Sequence, residues 1–328
     1  MDKEQQYKLA YTKIQEANNV LVVSHINPDP DAISSIGVII ELLLSLHKKY
    51  TAFASHKKEE DFSFIPHEEE VLGEKDFNFQ DFDLVICLDC GSLSRTDLQT
   101  EIEAAKAEGN IYVIEFDHHP RADDFSDLEI RYPELASTTE VLYGFLDVNG
   151  LKINRNTANC ILTGILTDTN NFLYPITTDN TIDVASKMLS YGAQFTNIFK
   201  NTQQNKSIFS MKLWGIALNN LQINKEYNFA FSVLTYEDIN KNMHELGEVN
   251  GDVFGDIVAF LSNLNDVKGV MLLREEEKGI IRGNLRSVDS NINVSELAKK
   301  LGGGGHPRAS GFVIKGNIQK TSSGWKVI

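Results

Sequence analysis

The sequence has no long hydrophobic run, which bears on any relation to a membrane. No stretch approaches the roughly 18 to 20 unbroken apolar residues that a membrane-spanning helix needs. The chain begins with MDKEQQYKLAYTKIQ, which is charged and amphipathic and lacks the apolar region of a secretory signal peptide. We therefore expect no membrane partner and a cytoplasmic location.

The sequence is also poor in cysteine, with only Cys87, Cys90 and Cys160. An odd count without paired spacing does not indicate a disulfide framework. Cys87 and Cys90 have a spacing that redox and zinc sites use, but they span the end of a predicted strand. The sequence therefore favours three buried, reduced thiols.

Basic residues are in the minority, because 31 Lys and Arg face 46 Asp and Glu, for a formal net charge of −15. Tight binding of long duplex nucleic acid requires many cationic contacts to phosphates, and no basic block offers them. The composition therefore argues against long duplex nucleic acid as a partner. It remains compatible with a small anionic substrate that metal ions hold locally.

Three apolar runs end abruptly in potential metal ligands. The runs are residues 20–24, 84–88 and 111–116, which lead to His25 with Asp29 and Asp31, to Asp89, and to Asp117, His118 and His119. Helical patterns alternate with these runs, which predicts an α/β fold whose N-terminal domain has a mainly parallel sheet flanked by helices. Ligands bind beyond the carboxyl ends of such strands, so we expect these side chains to share one crevice.

The crowded carboxylates predict two metal ions. Asp168, at the end of a predicted helix, would add another carboxylate to the crevice. Carboxylates repel each other unless cations neutralise them, and oxygen-rich sites with some imidazole suit Mn²⁺, with Mg²⁺ as the alternative. The predicted ligands are His25, Asp29 and Asp89 for the first ion, and Asp31, Asp89, His118 and Asp168 for the second.

In this arrangement Asp89 bridges the two ions, and a water acidified by both cations is the predicted nucleophile. His119 would contact the scissile phosphate or its leaving oxygen, and Asp117 would orient a histidine. A single aspartate at a helix start, such as Asp31, is more often only a cap. The interpretation therefore depends on the joint pattern, while His47, His56, His67 and His244 lack such a context and are predicted to be surface or packing residues.

The sequence predicts domain bounds of 1–192 for the catalytic domain, 193–225 for a linker helix and 226–328 for a smaller C-terminal α/β domain. The last domain contains four successive glycines, Gly302 to Gly305, which carry a high conformational-entropy cost and predict close backbone approach. Their amides would cradle a phosphate or sugar, with His306 and Arg308 alongside. The alternative is a plain hinge between domains.

These motifs together resemble the DHH/DHHA1 phosphoesterase family, and within it the standalone nanoRNases and 3′,5′-bisphosphonucleotide (pAp) phosphatases. The motifs that carry the resemblance are residues 25–32, 89–95, 117–119, 136–140, 168–172 and 302–311. The resemblance implies a manganese-dependent hydrolase with an N-terminal DHH domain for the metals and a C-terminal DHHA1 domain for the substrate. It matches the ligand roles above and implies substrate binding by Arg95, Arg286, Ser287, Gly303, Gly304, Gly305, His306 and Arg308.

The sequence departs from the family pattern in three places. Pro30 stands where the family usually has Gly, Ser34-Ser35 where it has Gly-Ser, and Asn170 where it often has Gly. None of these departures removes a proposed ligand. They bear on local loop shape and substrate preference.

The leading hypothesis is hydrolysis of short oligoribonucleotides to mononucleotides and of pAp to AMP and phosphate. A second hypothesis is a phosphodiesterase for cyclic dinucleotides or for linear dinucleotides such as pApA. Manganese pyrophosphatases share the first motifs, but the glycine-rich signature with His306 and Arg308 disfavours them. A non-catalytic nucleotide-binding regulator is the alternative from another class, and the intact ligand sets disfavour it. The expected partners are short RNA or small nucleotides, and homodimer formation stays open.

Overall fold

The computed structural model describes residues 1–57, 62–204, 207–240, 253–289, 291–321 and 324–328. The chain divides into two compact units, Met1–Gln204 and Asn205–Ile328. The domain bounds expected from the sequence stay a prediction.

The first unit is built on a six-stranded parallel sheet. Its strands are β1 (Asn19–Val23), β2 (Lys49–Phe53), β3 (Val71–Leu72), β4 (Leu84–Leu88), β5 (Tyr112–Asp117) and β6 (Leu128–Arg131). They lie in the order β3-β2-β1-β4-β5-β6, and each neighbouring pair is parallel. The predicted α/β fold with a parallel sheet is confirmed.

Helices cover both faces of this sheet. They are α1 (Lys3–Glu16), α2 (Pro30–Ser45), α3 (Gln99–Ala107), α4 (Thr138–Val148), α5 (Arg155–Asp168), α6 (Asp179–Ser190) and α7 (Phe195–Thr202). Successive residues of a strand point to opposite faces, so Val20 and Val22 pack with α1, α2, α4 and α5, while Leu21 and Val23 pack with α3. Each such side chain contributes about 1.5–3 kcal/mol on burial, which fixes the sheet beneath the site.

The second unit contains a mixed sheet. Its strands are β7 (Gln222–Asn224), β8 (Phe229–Leu234), β9 (Gly269–Glu277), β10 (Ile280–Ser287), β11 (Gly304–His306) and β12 (Ala309–Lys315), and a separate hairpin is formed by β13 (Ile318–Thr321) and β14 (Gly324–Val327). The sheet order is β11-β12-β10-β9-β8-β7, with β8 and β9 parallel and the other pairs antiparallel. The helices are α8 (Ile208–Asn219), α9 (Val253–Leu261) and α10 (Val294–Lys300).

Two helices, α7 and α8, lie where the sequence predicts a single linker helix, one in each unit. Helix α8 has its own start, since the Ser207 side chain accepts a hydrogen bond from the backbone N–H of Ser210. This cap lies within a polar segment, so the hydropathy pattern alone did not mark it.

Other expectations concern cysteines, histidines and membranes. Cys87, Cys90 and Cys160 are buried and unpaired, which confirms the prediction for these residues.

His244 lies outside the described residues. Within the part of the chain that the structure describes, no helix has the length and apolar character needed to cross a bilayer.

His67 has more partners than the sequence indicated. Its Nε2 lies 2.7 Å from Oε1 of Glu41, and its Nδ1 lies 2.7 Å from Oε1 of Glu70. Glu41 also accepts hydrogen bonds from the side-chain amides of Asn154 and Asn156 at the start of α5. His67 therefore joins α2 to the turn that precedes β3, and Glu41 joins α2 to the start of α5.

The charges of this cluster depend on pH. Burial acts to lower the pKa of His67, but hydrogen bonds to both glutamates raise it above its ordinary value of 6.5. Burial acts to raise the pKa values of Glu41 and Glu70, but hydrogen bonds, including those with His67, hold them below 4.5. The cluster therefore stabilises the fold fully between about pH 4.5 and 6.5, and loses this contribution as pH rises through the raised pKa of His67 or falls through the lowered pKa values of the glutamates.

We expect His67→Gln to lower the free energy of unfolding by about 1 kcal/mol at pH 6 and by less at pH 9, because loss of the imidazole proton at higher pH removes the charge that the glutamates stabilise. Urea unfolding at the two pH values measures the difference. His47→Gln, at an exposed position, is the control. An equal loss at both pH values would contradict the role of the charged cluster.

Candidate metal centre

Polar side chains of the site lie at the carboxyl ends of three adjacent strands. Strand β1 lies next to β4, and β4 lies next to β5. His25 follows the end of β1, Asp89 follows β4 directly, and Asp117 is the last residue of β5. Because the strands are parallel, their carboxyl ends meet at one edge of the sheet.

Two helices complete the ligand cluster. Asp29 is the N-cap of α2 and accepts a hydrogen bond from the backbone N–H of Ala32 at 3.0 Å, and Asp31 lies in the first turn of that helix. Asp168 is the last residue of α5. Since α2 begins shortly after β1, its first turn stands over the same edge of the sheet.

The potential ligand atoms form three groups, and within each group they lie within 4.8 Å of one another. The groups are His25 with Asp29 and Asp89, Asp31 with His118 and Asp168, and Asp89 with His118 and His119. The structure thus brings together all six predicted metal ligands. Their roles stay predictions.

Asp89 belongs to two of these groups. Its Oδ2 lies 3.9 Å from Nε2 of His25, and its Oδ1 lies 3.6 Å from Nε2 of His118 and 3.4 Å from Nδ1 of His119. The group around Asp31 and Asp168 reaches Asp89 through His118, whose Nε2 is 3.2 Å from Oδ2 of Asp168. Asp89 is therefore placed centrally among the imidazoles.

The backbone of Asp89 adopts a left-handed conformation, with φ of 58°. Non-glycine residues rarely occupy this region, and they do so where the surrounding structure holds them. Here the N–H of Asp89 donates to the carbonyl of Phe116 at 3.0 Å, and its Oδ1 accepts from the hydroxyl of Thr138 at 2.8 Å. These contacts aim the carboxylate at the histidines.

The N-terminus of α4 holds the other deeply buried aspartate. Backbone N–H groups of Thr138 and Thr139 donate to the carboxylate of Asp31 at 2.7 and 3.2 Å. Free N–H groups at a helix start favour a negative charge. Residues 136–140 stand out in the sequence only as a motif of the family resemblance, which gave them no part in positioning a ligand.

Gly164 of α5 makes this arrangement possible. A Cβ atom at this position would lie 2.0 Å from Oδ1 of Asp31 and 2.2 Å from Oγ1 of Thr139. Only glycine leaves room for both side chains against the helix. Gly164 was not predicted from the sequence, because a glycine within a helical pattern does not reveal which distant side chain packs on it.

The carboxylates hold protons more firmly than usual without a cation. Burial, followed by repulsion from Asp168, raises the pKa of Asp31 well above 3.8, and burial, followed by repulsion from Asp31, does the same for Asp89. Burial also raises the pKa of Asp168 and lowers that of His25. A neutral imidazole is the form that binds metal, and cations would relieve the repulsion among the carboxylates.

The donor set fits divalent cations that prefer oxygen with some imidazole, such as Mn²⁺ or Mg²⁺. It contains carboxylates and imidazoles without a thiolate. Two of the carboxylates, on Asp31 and Asp89, are almost fully buried, and burying them together is costly unless a positive charge compensates.

Asp117 is the support of His119. Its Oδ1 accepts from the backbone N–H of His119 at 2.7 Å and lies 2.9 Å from Nδ1 of the same residue, while its Oδ2 accepts from the N–H of Gly91 at 2.6 Å. Burial acts to raise the pKa of Asp117, but the contacts with His119 and with Arg131 lower it to about 2. The carboxylate is therefore ionised and keeps His119 in place.

Arg95 lies in a short 3-10 helix, Leu93–Thr96, that follows Asp89. It is half-buried, and its guanidinium donates to the carbonyl of Cys90 at 3.1 Å. Its backbone carbonyl accepts from the N–H of Ile26 at 2.7 Å, which ties the two loops together. Substrate binding by Arg95 stays a prediction.

The predicted substrate-binding residues of the second unit lie on neighbouring strands. These residues are Arg286 and Ser287 at the end of β10, and Gly303, Gly304, Gly305, His306 and Arg308 in and beside the β11–β12 hairpin. The N–H of Ser287 donates to the carbonyl of Arg308 at 2.9 Å, and the N–H of Arg308 donates to Nδ1 of His306 at 3.2 Å. Their roles in binding stay predictions.

The glycine run approaches its own hairpin closely. A Cβ atom at Gly303 would lie 2.1 Å from the carbonyl oxygen of Gly311, and one at Gly305, where φ is 135°, would lie 2.7 Å from that of Ala309. Gly304 and Gly305 are strand residues paired with β12, so they do not form an extended hinge segment. Cradling of a phosphate by their amides stays a prediction.

The departures from the family pattern have local explanations. Pro30 is the first residue of α2, where its missing N–H and fixed φ suit a helix start. Asn170 has a φ of 48°, a conformation that favours glycine and that asparagine tolerates better than most residues.

Comparison with known proteins gives two matching family models. The model described as the DHH family, N-terminal domain, matches residues 19–165, and the model described as the DHHA1 domain matches residues 227–322.

Proteins similar to this chain over nearly its whole length have names that state an activity. One from Streptococcus mutans, named probable bifunctional oligoribonuclease and PAP phosphatase NrnA, is 30% identical over 93% of this chain and 92% of that protein. One from Bacillus subtilis, named bifunctional oligoribonuclease and PAP phosphatase NrnA, is 30% identical over 90% of each chain. A solved structure of an exopolyphosphatase-related protein from Bacteroides fragilis is 27% identical, with a TM-score of 0.82 over 94% of this chain and 91% of that chain.

We expect Gly164→Ala to destabilise the fold by about 1–3 kcal/mol, because the added Cβ displaces Asp31 and Thr139, and to weaken Mn²⁺ binding at least about tenfold. Thermal unfolding and titration calorimetry measure the two effects. Gly215→Ala in α8 is the matched control, since an added Cβ there meets nothing within 4 Å and helix propensity favours alanine. Mn²⁺ binding equal to wild type in Gly164→Ala would contradict this role of Gly164.

We also expect metal binding to release protons, because the raised pKa values of Asp31 and Asp89 mean that a cation displaces protons from them. Affinity for Mn²⁺ should rise at least about tenfold between pH 5.5 and 7.5. Calorimetry in two buffers of different ionisation enthalpy counts the protons, and Asp89→Asn should release fewer. A dissociation constant independent of pH would refute the expectation.

Proposed function

The chain belongs to the DHH/DHHA1 family of phosphoesterases, and from this premise we propose that it hydrolyses short oligoribonucleotides to mononucleotides and pAp to AMP and phosphate. The resemblance found in the sequence motifs is confirmed by both family models and by the full-length relatives. The observation that carries the proposal is the meeting of aspartates and histidines from three strand ends and two helices. The names of the relatives support the choice of substrates.

The Asp/His cluster and the family indicate dependence on a divalent metal. We propose two Mn²⁺ ions as the resident cofactors, with Mg²⁺ as the alternative. His25, Asp29 and Asp89 would hold one ion, and Asp31, Asp89, His118 and Asp168 would hold the other. When bound, such ions act as Lewis acids that make water more acidic and neutralise charge on a phosphoryl group.

His119 is proposed as the residue that contacts the scissile phosphate or its leaving oxygen. Its side chain is 38% exposed, compared with 17% for His118 and 5% for His25, so it is the most accessible of the three imidazoles. Asp117 accepts from Nδ1 of His119, which leaves Nε2 for the substrate. This arrangement lets Asp117 fix both the tautomer and the ring orientation.

Thr138 supports the chemistry by aiming the central carboxylate. Its hydroxyl donates to Oδ1 of Asp89, and its backbone N–H donates to Asp31. Each hydrogen bond restricts the rotation of the carboxylate group that accepts it. The two aspartates therefore present defined lone pairs to the proposed ions.

The second unit is proposed to recognise the substrate. Arg286, Arg308 and His306 offer donors suited to phosphate oxygens or to a base, and the hydrogen bond from Ser287 to the carbonyl of Arg308 joins β10 to the β11–β12 hairpin. A formal net charge of −15 supports short substrates rather than long duplex nucleic acid. A cytoplasmic location and assembly as a homodimer belong to the same proposal.

A turnover panel tests the proposed function. Purified protein with Mn²⁺ is given a pentaribonucleotide, pApA, pAp, a cyclic dinucleotide or pyrophosphate, and we expect hydrolysis of the pentaribonucleotide, pApA and pAp. Asp89→Ala should lower turnover by at least about a thousandfold, because the central carboxylate is lost, and His119→Gln by about a hundredfold. Asp76→Ala, at an exposed loop position, should match wild type.

The panel separates the alternatives. Faster turnover of the cyclic dinucleotide or of pyrophosphate would contradict the proposed substrates. Hydrolysis of pApA with an intact pentaribonucleotide would indicate a dinucleotide phosphodiesterase instead. Tight binding of pAp without turnover in metal-loaded protein would show a regulator instead. Intact pApA and pAp under a range of metal and pH conditions would refute hydrolysis of these substrates.

A further inference from the structure

A buried arginine behind the Asp117–His119 pair has no role in the function described so far. Arg131 is the last residue of β6 and pairs in register with Asp117 of β5. Its side chain is only 4% exposed. A cation is expensive to bury unless negative groups surround it, so its partners indicate what it does.

The guanidinium of Arg131 contacts both carboxylates of β5, those of Glu115 and Asp117, and the backbone of His119. It forms an ion pair with Glu115, and its Nη1 lies 3.5 Å from Oδ2 of Asp117. The same Nη1 donates to the backbone carbonyl of His119 at 2.8 Å. Its Nε lies 3.3 Å from Oε1 of Glu129.

These contacts hold the proposed catalytic histidine from two sides. Oδ1 of Asp117 is occupied by both the N–H and Nδ1 of His119, while Oδ2 receives the N–H of Gly91 and faces Arg131. The carboxylate therefore cannot rotate without losing one of these partners. At the same time Arg131 holds the carbonyl of His119, so that backbone and side chain of this residue are both fixed.

We propose that Arg131 is a positioning residue that keeps Nδ1 of His119 a hydrogen-bond donor to Asp117 and thereby directs Nε2 toward the substrate. The inference rests on the proposed hydrolytic function. Arg131 touches none of the proposed metal ligands, and it acts through Asp117 and through the His119 backbone. It differs from an ion pair that only stabilises the fold, because such a pair would change stability without changing the state of the His119 ring.

The kinetic test uses full-length, Mn²⁺-loaded protein with pApA as the probe. Arg131→Met should lower kcat about 30-fold or more with KM within about threefold, because a misplaced catalytic group costs rate rather than binding. Arg131→Lys keeps the charge but offers a single ammonium donor instead of the planar guanidinium. Its kcat should therefore lie between those of wild type and Arg131→Met. The control is Arg121→Met, since Arg121 also contacts Glu129 and also carries a guanidinium but is 53% exposed.

A double-mutant cycle decides whether Arg131 acts through His119. In a His119→Gln background, Arg131→Met should change kcat by less than about twofold, because the group that it positions is already gone. If Arg131→Met lowers kcat by the same factor in the wild-type and His119→Gln backgrounds, the proposal is overturned. A kcat for Arg131→Met within twofold of wild type would overturn it as well.

A second readout does not need turnover. In ¹⁵N-histidine-labelled, Mg²⁺-loaded protein, long-range ¹H–¹⁵N spectra report which ring nitrogen of His119 carries the proton, and His119→Gln assigns the signal. Wild type and Arg121→Met should show the proton on Nδ1, and Arg131→Met a mixture of both tautomers. An unchanged tautomer in Arg131→Met would refute the positioning role.

The two readouts separate the two proposals. Wild-type protein that leaves pApA intact would count against the proposed function, while the tautomer of His119 would still decide the role of Arg131. If Arg131→Met fails to fold because Glu115 is left without its partner, Arg131→Lys replaces it in both measurements. Circular dichroism and thermal unfolding establish which variant is used.

Discussion

The site depends on the burial of two aspartates at one edge of a parallel sheet. Asp31 and Asp89 repel each other in a region that excludes water, and a single residue, Thr138, donates a hydrogen bond to each of them. Neither aspartate would be tolerated there by packing alone. The first turn of α4, the left-handed backbone at Asp89 and the glycine in α5 all serve to keep these two carboxylates together.

The sequence was most informative where periodicity and burial coincide. Strand β4 was predicted with its observed bounds, because five apolar residues in a row are typical of a central parallel strand. The meeting of His25, Asp89 and His118 also followed from the sequence, since parallel strands end at a common edge. Strands β3 and β6 were missed, because they are short and lie at the two edges of the sheet.

The part of the site that was not predicted from the sequence consists of contacts between distant segments of the chain. The backbone of Thr138 reaches Asp31 across 107 positions in the chain, and no local pattern reports such a pairing. Gly164 and Arg131 were missed for the same reason, since each has an ordinary neighbourhood in the sequence and gains meaning only from what packs on it. The glycines of the second unit were expected to approach another group closely, with a phosphate or sugar as the predicted group. The group that they approach in the structure is the neighbouring strand of their own hairpin.

The pairing of Asp117 with Arg131 has a consequence for folding. Strand β6 is an edge strand of four residues, of which Leu128 and Ile130 are buried in the core. A slip of one position in its pairing with β5 would turn Arg131 to the opposite face of the sheet. The same slip would turn Leu128 and Ile130 away from the hydrophobic core. The packing of these two side chains therefore also fixes the position of Arg131 beside Asp117. Apolar burial in an edge strand thus determines the alignment of an imidazole two strands away from His25.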